Sequence, residues 1–145
     1  MKPVNFFPRF NDLSNESLSV DFHMHSTWTD GKNTIPEIIN SAQGNKINSI
    51  AITDHIRIES DYFDNYESEI KSLNSGSKLN IYVGFEAKVA NFSGNIDVKD
   101  EIAMRADIAI VSVHRFPLGT KLYKASEFKK NIAQEIELEL SLAAL

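Results

Sequence analysis

The stretch Asp21-Phe22-His23-Met24-His25-Ser26, followed four residues on by Asp30-Gly31, decides how this 145-residue chain reads. It closes a short strand-length run, Ser19–Met24, and a helical pattern over Ile35–Asn45 comes next. The same alternation then repeats. Apolar runs at 48–53, 79–85 and 107–113 are each followed by a helical pattern, at 62–73, 97–104 and 125–145. Four strand-then-helix units in succession predict an α/β fold with parallel strands.

Local signals support the first and last helices. Thr34 is placed to cap the first, Pro36 falls in its first turn, Glu37 completes a capping box and Gly44 ends it. In the last, Phe128, Ile132, Ile136, Leu140 and Ala143 recur every three or four residues, which predicts one apolar face. Residues 1–18 read as an irregular arm whose Phe6, Phe7 and Phe10 pack rather than bind. The remainder, 19–145, reads as one domain.

Composition narrows the chemistry. A net charge of -5 argues against a broad nucleic-acid footprint. There is no cysteine, so thiolate ligands and disulfides are excluded and a reducing, cytoplasmic setting is expected. No apolar run reaches membrane-span length, and none of signal-peptide character opens the chain. A metal site here must use imidazole nitrogen and carboxylate oxygen.

All four histidines fall at, or just after, a predicted strand end. His23 and His25 close the first strand, His55 follows the second in Thr53-Asp54-His55, and His114 follows the fourth in Ser112-Val113-His114. The third ends in Gly84-Phe85-Glu86. Loops after parallel strands open on one face, so these residues converge on one rim. Residues i and i+2 of a strand point the same way, which lets His23 and His25 face one ion while Met24 faces the helical layer. Asp30 can reach the rim from the next loop, and Glu86 has two oxygens with which to bridge. This donor set suits Zn, Mn or Fe. Plain structural alternatives exist: a hydrogen-bonding histidine at a strand end, or Asp-Gly as an ordinary turn. Asp54 reads as an orienting carboxylate for an imidazole or loop amide. Trp28 either lines a pocket or covers the rim.

Taken together the motifs resemble the PHP family, named for polymerase and histidinol phosphatase. The resemblance rests on Asp21-Phe22-His23-Met24-His25-Ser26 with Asp30-Gly31, then Thr53-Asp54-His55, Gly84-Phe85-Glu86 and Ser112-Val113-His114, in order. It implies the N-terminal part of a distorted seven-stranded, TIM-like β/α barrel holding two or three divalent ions. By resemblance His23, His25 and Glu86 hold one ion, Glu86 bridges to a second shared with His114, and Asp30 and His55 belong to a third. The implied chemistry is hydrolysis of phosphate esters by ion-activated water, with His23, His25, Glu86 and His114 at its centre. Arg115 and Lys88, beside ligands, are candidates to hold the phosphate. A small phosphorylated metabolite is the expected substrate, as in the histidinol-phosphatase branch. A nucleic-acid-processing module, exonuclease or polymerase-associated, is the alternative.

The family pattern continues with a further His-Pro-like histidine and an Asp-x-His, and no histidine follows His114 here. About four of the family's seven units are therefore expected, and an open half barrel leaves strand edges uncovered. The expectation is a portion of a longer enzyme. A short form that self-associates to cover the open barrel, or a non-catalytic remnant, is the competing view.

Overall fold

The computed structural model describes residues 19–119 and 121–144, so the arm with Phe6, Phe7 and Phe10 lies outside the described residues. Four strands, β1 (Val20–Met24), β2 (Ser49–Ile52), β3 (Asn80–Lys88) and β4 (Ile108–Ser112), form one parallel sheet in the order β1-β2-β3-β4. Each strand lies beside the next in sequence, with no reversal. That order suits a barrel, whereas a doubly wound open sheet has a switch point. The sheet is curled into a parallel half barrel. The four parallel strands agree with the sequence expectation, and seven are not found among the described residues.

Three crossovers carry the outer layer: α1 (Ile35–Gly44), α2 (Phe63–Asn74) and the single turn α3 (Asp100–Ala103). Glu37 accepts hydrogen bonds from the Thr34 N–H at 2.8 Å and the Thr34 hydroxyl at 2.9 Å, so α1 starts where the sequence signals it. The main core lies between helices and sheet. Ile35, Ile39, Phe63, Tyr66 and Ile70 pack on the convex side against Ile50, Ile52, Ile81, Val83 and Phe85. These strand residues alternate, as a strand packed on one face by helices requires.

The intervening residues face the concave side. Glu86 pairs in register with Ile110, Gly84 with Ile108 and Lys88 with Ser112, and registered partners in a parallel sheet share a face. The Tyr66 hydroxyl lies 2.6 Å from the Ile52 carbonyl and 3.0 Å from that of Gly84, so α2 ties together β2 and β3. A cleft of about 540 Å³ is lined by Val20, Asp21, Phe22 and His23 of β1, by Asp107 and by Ile108, Ala109 and Ile110 of β4. The two outermost strands thus share one hollow across the curl.

After β4 the structure departs from the expected long helix. β5 (Phe116–Leu118) and β6 (Lys121–Tyr123) form an antiparallel hairpin, a 3-10 turn covers Ala125–Glu127, and α4 runs only from Lys130 to Ala143. Phe128, assigned by spacing to the helix, is extended. Its ring lies 5.6 Å from that of Phe116 and 5.7 Å from that of Tyr123, so aromatic packing on the hairpin replaces the first helical turn. The buried face of α4 is Ala133 and Leu140, with Ile136 beside them, while Ile132 is exposed. Ile136 and Leu140 of the predicted stripe face inward, and Ala133 takes the place expected of Ile132. No helix among the described residues is long and apolar enough to cross a membrane.

Candidate metal centre

The end of β1 brings two imidazoles to the rim. Three steps from Asp21 to Met24 oppose two steps from Ile50 to Ile52, which marks a bulge. Bulges re-aim side chains, commonly beside functional sites. Met24 packs against the core, and its N–H donates to Thr53 Oγ1 at 3.0 Å. His23 and His25 therefore turn the other way, with their Nε2 atoms 3.2 Å apart.

Both face Glu86, which is 3% exposed. Its Oε2 lies 3.1 Å from His23 Nε2 and 2.9 Å from His25 Nε2. Its Oε1 accepts from the Ser112 hydroxyl at 2.6 Å and lies 2.7 Å from His114 Nε2. The strand β3 runs two residues past Glu86, so this carboxylate projects from the sheet rather than from a loop. His55 is held by backbone bonds of its neighbours: Glu86 N–H donates to Asp54 O at 3.0 Å, and Ile56 N–H to Glu86 O at 3.1 Å. The Tyr62 hydroxyl donates to the His55 carbonyl. His55 Nδ1 lies 3.7 Å from Glu86 Oε2.

Asp30 approaches from the loop after β1. Its Oδ1 is 3.1 Å from His25 Nδ1 and its Oδ2 is 3.5 Å from His55 Nε2. The loop is shaped by the buried carboxylate of Asp54, which accepts from the Ser26 N–H at 2.9 Å, the Ser26 hydroxyl at 2.7 Å and the Thr29 hydroxyl. Asp54 therefore orients the loop amide, one of the two roles its position allows. At Gly31 a Cβ would sit 2.0 Å from the His25 carbonyl oxygen, so only glycine fits this close return of the chain.

The six residues form three overlapping groupings whose ligand atoms lie within 4.8 Å of one another: His23–His25–Glu86, His55–Glu86–His114 and His25–Asp30–His55. One grouping is the set named by resemblance, and the other two contain the named pairs Glu86–His114 and Asp30–His55 with one histidine added to each, so that His25 and His55 each join two groupings. Burial pushes the Glu86 carboxyl up, but the bonds from Ser112, His23 and His114 outweigh it and hold it down to about 2. Desolvation lowers His55 below its usual range, against the pull of Glu86. Desolvation also acts to raise Asp30, yet the charges of His55 and His25 leave it below the usual carboxylate range. An ionised carboxylate facing an imidazole that resists protonation is a cation-binding arrangement.

The residues fit divalent ions. His25 Nδ1 is buried and has no hydrogen-bond partner among the described residues, although Asp30 is close, so a ligand atom is left without its bond. Nitrogen with carboxylate oxygen is a donor set for Zn, Mn or Fe. Lone pairs limit the count. A neutral imidazole offers one free nitrogen. His25 turns Nε2 to Glu86 and Nδ1 to Asp30, and His55 turns Nδ1 to Glu86 and Nε2 to Asp30. The grouping around Asp30 therefore competes with both others for the same two rings.

Of the two basic candidates, Lys88 Nζ is paired to Asp97 at 2.9 Å. Arg115 makes no hydrogen bond or ion pair among the described residues. Trp28 stacks on Tyr62 with centroids 5.6 Å apart and donates Nε1–H to Glu69 at 2.7 Å, packing against the core as a cover for the rim. Ser112 was quoted in the Ser112-Val113-His114 motif but given no role, and two residues beside the site, Arg57 and Asp97, were not singled out by sequence. Arg57 and Asp97 carry no motif signal.

Residues 21–142 match the PHP domain family. The chain is 30% identical over 102 residues to the DNA polymerase/3'-5' exonuclease PolX of Bacillus subtilis, covering 65% of this chain and 18% of that protein. It is 29% identical over 111 residues to a probable phosphatase of Caldicellulosiruptor bescii, covering 71% of this chain and 45% of that protein. The chain thus spans less than half the length of either relative. The matched span takes in every residue of the cluster from His23 to His114, and the chain belongs to the PHP domain family.

Proposed function

We propose that this domain hydrolyses phosphate monoesters of small metabolites, in the manner of a histidinol-phosphatase-like metal-dependent phosphoesterase. The observation that carries the reading is the cluster itself: all four histidines of the chain meet Asp30 and Glu86 in three overlapping groupings. His23, His25 and Glu86 would hold one divalent ion, and His55, Glu86 and His114 a second, with Glu86 giving one oxygen to each. Asp30 adds charge at the open side and completes a third position only by taking His25 and His55 from the others. Zn, Mn or Fe ions held there supply Lewis-acid charge that neutralises phosphoryl oxygens and makes water acidic enough to attack.

The chain's own part is to hold and orient. Ser112 fixes one Glu86 oxygen, and Asp54 fixes the loop that carries Asp30. Arg115, next to His114, adds positive charge for the phosphate, and Lys88 adds more where Asp97 releases it. A cytoplasmic setting suits a cysteine-free chain. The likeness to PolX favours a second reading, a nucleic-acid-processing module, while the net charge of -5 favours the first.

The test is hydrolysis of a generic phosphate monoester and of a single-stranded oligonucleotide, each with Mn or Zn. The proposal expects monoester turnover that chelation removes. Turnover of the oligonucleotide alone would favour the second reading, and no turnover of either would leave a non-catalytic remnant.

A further inference from the structure

The Arg57 guanidinium lies against the metal cluster and is oriented before any substrate arrives. Its Nη1 donates to the carbonyls of Ile56 at 2.9 Å and Glu86 at 3.1 Å, so one corner of the plane is fixed to the strand ends. The other edge, Nε with Nη2, is loosely engaged. Nη2 is 3.3 Å from His55 Nδ1, and Nε is 4.0 Å from Asp97 Oδ2, beyond hydrogen-bond range. That same Asp97 oxygen is held by Lys88 at 2.9 Å. The side chain keeps 21% of its surface exposed.

An edge carrying parallel N–H groups matches two oxygens of a phosphate in bidentate fashion. Pinning the opposite corner removes much of the ordering cost of such a bond. His55 Nδ1 has one lone pair, which serves either Arg57 or an ion. When it serves an ion, Nη2 is released toward the rim. We propose that Arg57 is a further, pre-oriented phosphate-binding residue of this site, gripping the phosphoryl oxygens through its Nε–Nη2 edge beside His55. Lys88 neutralises the Asp97 carboxylate at 2.9 Å, which lessens its competition for that edge. This assignment rests on the phosphoesterase reading and goes beyond it, because Lys88 is already engaged and Arg115 is unanchored.

The test measures inorganic phosphate affinity of the Mn-loaded chain by calorimetry, together with bound Mn by elemental analysis. Arg57→Gln is expected to weaken phosphate binding about tenfold or more at unchanged Mn content, the loss of one charged bidentate contact. Arg57→Lys keeps the charge without the fork and recovers only part of the affinity. It also serves where Arg57→Gln does not fold. Phosphate affinity in either variant equal to wild type overturns the assignment. So does a fall in Mn content parallel to the fall in affinity, since Arg57 would then act only by supporting His55. The parent reading fails separately: a wild-type chain that holds Mn but neither binds phosphate nor hydrolyses the monoester contradicts that reading, whatever Arg57 does.

Discussion

At the residue scale the site was legible because its chemistry is concentrated in rare side chains. Four histidines, one glutamate and one aspartate were placed by motif and by strand-end position, and all six meet in three overlapping groupings, the histidines at Glu86 and Asp30 at His25 and His55. Arg57 was not, because an arginine after a strand is ordinarily a solvated surface residue. Only the fold shows its guanidinium on the carbonyls of Ile56 and Glu86. Gly31 is the backbone counterpart of these ligands. Gly31→Ala places a methyl 2.0 Å from the His25 carbonyl oxygen, so the loop must move and carry His25 and Asp30 with it. The expected outcome is reduced metal content and a lower melting temperature. Gly44→Ala is the control: no atom lies within 4 Å of its added methyl, and it closes α1 without positive φ. That change should stabilise by about 0.5–1 kcal/mol, measured by urea unfolding.

At the element scale, the strands and first two helices followed from periodicity and capping, whereas the region after β4 did not. Phe116–Leu118 and Lys121–Tyr123 are three-residue strands, too short for alternation to be read, and Pro117 argues against a strand. Gly119, at φ 61°, was the available hairpin signal between them. Phe128 followed helical spacing yet packs on that hairpin, an instance of tertiary contacts overriding local pattern. Packing between elements also sets a pH response. Glu67 on α2 accepts from Arg105, just beyond α3, and lies 2.8 Å from Lys71. The Arg105 bond, helped by Lys71, holds its carboxyl below the ordinary 4.5 against the upward push of burial. A carboxyl depressed in the folded state adds stability above its unfolded value, and that stability is lost as pH falls through the folded one. The melting temperature of wild type is therefore expected to drop more steeply than that of Glu67→Gln below about pH 4.5. Parallel acid limbs would show that the Arg105–Glu67 contact contributes nothing.

At the scale of the whole molecule, a singly wound sheet explains why one rim collects every ligand. Strand order β1-β2-β3-β4 with the same polarity puts all four C-terminal ends on one side, and the curl turns them toward a common centre. The α/β class and the parallel order were readable from alternating units. The curl followed only from the family resemblance, which implied part of a barrel, because periodicity and composition carry no signal for strand twist or for the bulge between Asp21 and Met24. On the proposed reading this half barrel holds divalent ions around Glu86. Two of the three groupings contain Glu86, and the third shares His25 and His55 with them. The direct test is elemental analysis of the chain and of Glu86→Gln, each loaded with Mn and freed of excess metal by gel filtration. The account predicts two bound ions per wild-type chain and at most the single ion of the His25–Asp30–His55 grouping in the variant. Equal metal in the two proteins, or none in wild type, would contradict it.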